Sequence, residues 1–134
     1  MERKIVLFCV LVLPLCFRAP AQGGFYETTE MLSASCRIAI RTWSEQNPNS
    51  IDLLIAQSCN GYLQGALDAF EFERVAGSQK SDAQSVCIPD DVKKEQVIRV
   101  FMKYSDDHPE ELHKAAPVVV WEAMHQAFAC AVGK

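Results

Sequence analysis

The chain has 134 residues, of which 22% are charged and 49% hydrophobic, and a formal net charge of −4. That length suits one domain with one modest core and is too short for two. The Lys and Arg residues are scattered with no basic stripe at helical spacing, so nucleic acid and anionic membrane surfaces are excluded as expected partners.

Residues 1–21 have the pattern of a cleaved signal peptide: Arg3 and Lys4, an apolar run from Ile5 to Leu15 interrupted by Pro14, then Ala19-Pro20-Ala21. Cleavage is expected before Gln22. The run is shorter than the roughly 20 apolar residues of a membrane span. Cys16 would suit a lipid anchor, but the bulky Leu15 before it fits poorly and a better cleavage site follows. Cys9 and Cys16 therefore leave with the leader, and the mature domain, 22–134, keeps Cys36, Cys59, Cys87 and Cys130. Taking the leader's three basic residues and one acidic residue from the full totals of 13 and 17 leaves 10 and 16, a formal charge of −6. An even number of cysteines in an exported chain favours disulfides over free thiols.

The remaining periodicity is helical, with only Val118-Val119-Val120 ambiguous, and predicts an all-α bundle of about four main helices. The first spans Thr28 to Glu45 with Met31, Leu32, Ser35, Ile38, Ala39 and Trp43 on one side; Asn47-Pro48-Asn49-Ser50 ends it. The second runs from Ile51 to Ala76 and places Ile55, Cys59, Tyr62, Leu63, Ala66, Leu67 and Phe70 on a broad buried face. Residues 77–84 form a polar loop. A third helix follows Ile88-Pro89-Asp90-Asp91 and carries Val92, Val97, Val100, Phe101 and Tyr104. Pro109 suits the first position of a short helical turn near 110–114, and Pro117 begins a final helix over 117–129.

On this outline Cys36 and Cys59 lie symmetrically about the turn at 47–48, and Cys87 and Cys130 nearly so about 107–109. The spacing favours Cys36–Cys59 and Cys87–Cys130 over the other two connectivities, and the absence of any CxxC pair argues against zinc. Gly61 and Gly65, continued by Ala69, make a line of small residues on the second helix. Each glycine costs up to about 1 kcal/mol against alanine there, which predicts close approach of another helix or of a partner. Tyr62 is expected to bury its ring and place its hydroxyl at the edge. Pro89, like Pro109, sets a chain entry into helical structure.

Catalytic patterns are thin. His108, His113 and His125 could meet Asp106, Asp107, Glu110, Glu111 or Glu122, but there is no HExxH and no tight metal-ligand spacing. Ser33, Ser35 and Ser58 have no paired base, and Asp68, Glu71 and Glu73 read as a solvated acidic end. No phosphate-binding glycine loop occurs. The expectation is a non-enzyme with no cofactor and no metal.

Cys59-x-Gly61-Tyr62-x-x-Gly65, Asp68-Ala69, Cys87-Ile88-Pro89-Asp90, Tyr104, His108-Pro109-Glu110, Ala115-Ala116 and Ala127-Phe128-Ala129-Cys130 together resemble the Rap/Tai family of type VI secretion immunity proteins over roughly residues 32–130. Ala129 departs from the proline usual before the last cysteine, and Asp91 from a frequent glycine or neutral residue. The resemblance implies a small periplasmic, disulfide-containing helical protein, commonly homodimeric, that binds a cognate peptidoglycan-cleaving amidase effector and occludes it. Residues 77–85 and the acidic stretch Asp106, Asp107, His108, Glu110 and Glu111 are the expected partner surface. Two other classes stay open: an acid-stress chaperone resembling the small helical periplasmic ones, using carboxylates and histidines to take up protons, and an envelope accessory protein sharing only the scaffold.

Overall fold

Capping at the first helix sets the register of the bundle. Thr28 is extended and its side chain accepts from the Met31 N–H, so α1 runs Thr29–Thr42. Its buried face is Thr29, Leu32, Ser33, Cys36, Ala39 and Thr42, a run at helical spacing. Two of the side chains expected inside are not there: Met31 is 49% and Trp43 37% exposed. Small polar residues take those places because their hydroxyls are satisfied locally, Ser33 donating to Glu30 O and Thr42 to Ala39 O. Trp43 instead lies against the Arg99 guanidinium, 5.8 Å from the ring centroid.

The computed structural model describes Tyr26 and residues 28–77 and 85–131. The expected signal peptide and residues 78–84 of the expected loop lie outside the described residues.

Helix α2 is Ser50–Val75, capped by the Asn49 side chain accepting from the Asp52 N–H. It ends at Ala76, and Gly77 follows at φ +66°, a conformation glycine adopts without a Cβ penalty. Its buried face is narrower than the periodicity suggested: Ala56, Cys59 and Leu63 are buried, while Ile55, Tyr62, Ala66, Leu67 and Phe70 are only partly covered.

Helix α3 is Lys94–Asp107 and buries Val97, Ile98, Phe101, Met102 and Ser105. Val100 and Tyr104 flank that core, and Val92 precedes the helix. A 3-10 turn, Pro109–Glu111, follows with proline at its start. Helix α4, Ala116–Phe128, buries Ala116, Val119, Val120, Ala123 and Met124. The valine run is therefore helical, with Val118 on the outside at 47% exposure.

Phe101, Leu32, Leu63, Ile98 and Met124 are the largest fully buried side chains, and they come from all four helices. Distant backbone joins the layers. The first-turn N–H groups of α1 have no intrahelical acceptor; Thr29 N donates to Lys114 O at 2.9 Å and Glu30 N to Leu112 O at 3.0 Å. The segment after the 3-10 turn thus closes the end of α1.

Both expected disulfides form. Cys36–Cys59 ties α1 to α2, and Cys87–Cys130 ties the segment before α3 to the end of α4. Beside the second, Cys87 N donates to Phe128 O at 2.7 Å and Cys130 N to Ser85 O at 3.2 Å. Ala129 sits at φ −57° and ψ 137°, an extended geometry open to proline, so its departure from the family pattern leaves this turn intact. At Asp90-Asp91 the chain turns with Val92 N donating to Pro89 O at 3.1 Å. No described non-glycine residue has positive φ, so position 91 does not require glycine.

Candidate partner-binding surface

The acidic stretch gathers where α3 ends. Each acidic side chain there has a polar partner. Asp106 pairs with Arg37 at 2.9 Å and Asp107 with Lys103 at 2.6 Å. Glu111 pairs with Lys114 at 2.9 Å and accepts from the Tyr104 hydroxyl at 3.3 Å. His108 Nδ1 lies 3.2 Å from Glu110 Oε1, and its ring rests 4.4 Å from that of Tyr104. Lys114 also reaches Glu122 at 3.8 Å. Local spacing could have disclosed the Lys103–Asp107 and Glu111–Lys114 pairs, which lie one helical turn apart. Arg37–Asp106 joins separate helices and has no sequence signal.

These contacts shift the carboxyls downward. Glu111 lies below the usual carboxylate range chiefly because Lys114 donates to it. Glu110 is lowered first by its own backbone N–H and then by His108. Burial, and then the negative charge of Glu111, raise the Tyr104 phenol. His108, Glu110 and Glu111 also bring one ligand-type atom each within 4.8 Å of one another, but the same atoms are engaged in the pairs just described.

Most of the other catalytic candidates are occupied structurally. Ser33, Ser35 and Ser58 donate back to the carbonyls of Glu30, Met31 and Leu54. Asp68 accepts from Gln64, and Glu71 is held below its usual range mainly by Arg74. His125 stacks on Trp121 with centroids 4.7 Å apart, and His113 is exposed.

Alongside α2 runs a groove with two adjoining hollows. One of about 210 Å³ is lined by Leu63, Leu67, Ile88, Val92, Val97 and Ile98 among others. The next, about 350 Å³, includes Phe70, Val86, Pro89 and Asp90. Pro89 thus lies at the groove's rim, in the turn that leads toward α3.

The glycines correct the sequence reading. A Cβ built on Gly61 or Gly65 meets nothing within 4 Å among the described residues, and both positions are exposed. Among the described residues, no helix crosses there. Tyr62 does pack, edge-on to Tyr26 with centroids 5.3 Å apart, and burial raises its phenol.

Together these features define a small all-helical, disulfide-linked protein whose distinctive parts are surfaces rather than a cluster of reactive groups. The chain belongs to the family of Rap1a immunity proteins, which it matches over residues 28–130. That span includes all four helices and both disulfides. No curated protein and no solved structure matches the chain. Among the described residues, no helix is long and apolar enough to cross a membrane.

Proposed function

We propose that this protein is an exported immunity protein that binds a cognate effector in the periplasm and blocks it by occlusion rather than by chemistry, and that its effector is a peptidoglycan-cleaving amidase. Membership of the immunity family over residues 28–130 carries the reading. The signal-like leader and the two disulfides support action in an oxidising compartment.

The surface assigned to the effector is the corner bearing Asp106, Asp107, His108, Glu110 and Glu111. The Arg37–Asp106 and Lys103–Asp107 pairs are solvent-exposed, and exposed pairs contribute about 0–1 kcal/mol each. A basic rim on the effector can therefore exchange with Arg37 or Lys103 at little cost and gain speed and orientation in docking. Residues 77–85 are assigned a second effector contact on the sequence argument alone.

To test this, the exported, oxidised protein serves as bait for the secreted fraction of its source bacterium, and the retained protein is assayed for peptidoglycan cleavage. The reading expects a hydrolase whose activity disappears in the complex. For the surface, the combined variant Asp106→Asn, Asp107→Asn and Glu110→Gln should weaken that complex at least tenfold and reduce its salt dependence. Unchanged affinity would place the effector elsewhere on the molecule.

A further inference from the structure

The two disulfides stand in opposite surroundings. Cys36 and Cys59 are fully buried, in the same core cluster as Leu32, Ala39 and Leu63. Cys87 is exposed and Cys130 half-buried. Cys87 also lines an open hollow of about 380 Å³ with Glu71, Arg74, Ile88, Pro89 and Asp90. Thiol–disulfide exchange begins when a thiolate reaches one sulfur of the bond, so access decides which disulfide reacts. Reaching Cys36–Cys59 requires the core to open, whereas Cys87 is met from solvent with the fold intact.

What Cys87–Cys130 holds in place is one wall of the groove beside α2. Val86, Ile88, Pro89, Asp90 and Val92 line the groove's two hollows. Residues 85–92 form no helix, so their release breaks no helical hydrogen bond. Beside the disulfide, Cys87 N donates to Phe128 O and Cys130 N to Ser85 O. Ser85 and Val86 add buried side chains. The opposite wall stands on α2, which Cys36–Cys59 ties independently to α1. Opening the accessible disulfide therefore loosens one side of the groove and leaves the other fixed.

We infer that Cys87–Cys130 is a redox latch: a dithiol reductant exchanges with it in the folded protein, freeing residues 85–92 from the end of α4 and dismantling that wall of the groove. The dithiol's thiolate attacks Cys87 Sγ. A sulfur–sulfur bond forms there as the bond to Cys130 Sγ breaks, and Cys130 leaves as a thiolate that takes a proton from solvent. The dithiol's second thiol, its proton given to solvent, attacks its own partner sulfur in the mixed disulfide. Cys87 is expelled as a thiolate and protonated in turn. The protein disulfide has then gained two electrons and two protons, and the dithiol has been oxidised to a disulfide. Neither cysteine belongs to the acidic stretch assigned to the effector, so the latch does not depend on that reading.

In the test, the exported, oxidised protein is exposed to dithiothreitol at neutral pH without denaturant. Free thiols are trapped at intervals with iodoacetamide and mapped by peptide mass spectrometry. Cys87 and Cys130 should be alkylated at least about a hundredfold faster than Cys36 and Cys59. Brief treatment with 2-mercaptoethanol, a monothiol, and an acid quench should leave its adduct on Cys87. In the half-reduced protein, deuterium exchange should rise at least about tenfold in residues 85–92 and 128–131 and stay unchanged in 29–42 and 50–75. Cys87→Ser with Cys130→Ser should reproduce that exchange pattern without reductant. Equal alkylation rates at the two disulfides, or none before global unfolding, overturn the inference. An adduct on Cys130 overturns entry at Cys87. Selective reduction with exchange in 85–92 unchanged overturns the latch.

Discussion

The two disulfides make opposite predictions depending on whether loop length or burial decides their value. Their sequence separations are 23 and 43 residues. Loop-closure entropy then assigns about 3.4 kcal/mol to Cys36–Cys59 and about 4.0 kcal/mol to Cys87–Cys130, favouring the longer loop by about 0.6 kcal/mol. Burial points the other way. Cys36 and Cys59 are 0% exposed, whereas Cys87 is exposed and Cys130 half-buried. Removing two sulfurs from the core forfeits their transfer energy and leaves a void, which together add about 2–3 kcal/mol. The pair Cys36→Ala and Cys59→Ala should therefore lose about 5–6 kcal/mol, and Cys87→Ala with Cys130→Ala about 4 kcal/mol. Against a usual total of about 5–15 kcal/mol, the first variant stands at the edge of unfolding. Urea unfolding of both variants at neutral pH, followed by circular dichroism, measures the order. If the Cys87–Cys130 variant is the less stable, loop length dominates and the burial argument is wrong.

Phe101→Ala removes the largest fully buried side chain and should cost about 3–5 kcal/mol, whereas Val118→Ala on the solvent side of α4 should stay within about 0.5 kcal/mol; thermal melts separate them. Thr29→Val removes the hydroxyl bond to Lys114 O at 3.1 Å but leaves that carbonyl its bond from Thr29 N. The expected loss is therefore only about 0.5–1.5 kcal/mol by urea unfolding, and a larger loss would show that the hydroxyl does more than this. Glu111 is charged more readily in the folded state than in the unfolded chain, so its contribution is full above the ordinary glutamate value near about 4.3 and fades as pH falls through the depressed folded value. The stability difference between wild type and Glu111→Gln should be flat from pH 7 to 5 and vanish only at lower pH; a difference that changes between pH 7 and 5 contradicts the Lys114 pairing.

Much of the fold was legible in the sequence because its signals are local. Pro48, Pro109 and Pro117 punctuate the chain near helix boundaries, and the cysteines fall level once the hairpins are drawn. The misassigned faces have a common cause. Met31 and Trp43 were placed inside by residue type, yet Ser33 and Thr42 hold those places because a hydroxyl bonded to the preceding turn carries little burial cost. Ile98 and Met102 were missed as core, although they share the helical face of Val97 and Phe101. For the surface, the sequence put Asp106 to Glu111 together but could not disclose that Arg37, on another helix, neutralises Asp106. Gly61 and Gly65 read in sequence as a site of close approach. That no described helix of this chain lies against them required the structure.

The central claim is inhibition by stoichiometric binding, and the most direct measurement is a titration of the captured effector's peptidoglycan-cleaving activity with the purified oxidised protein. The account predicts a linear fall to no activity at one protomer per effector, with the effector recovered unmodified when the complex is dissociated. Full activity at a tenfold excess of protein, or an effector left covalently altered after dissociation, would contradict it.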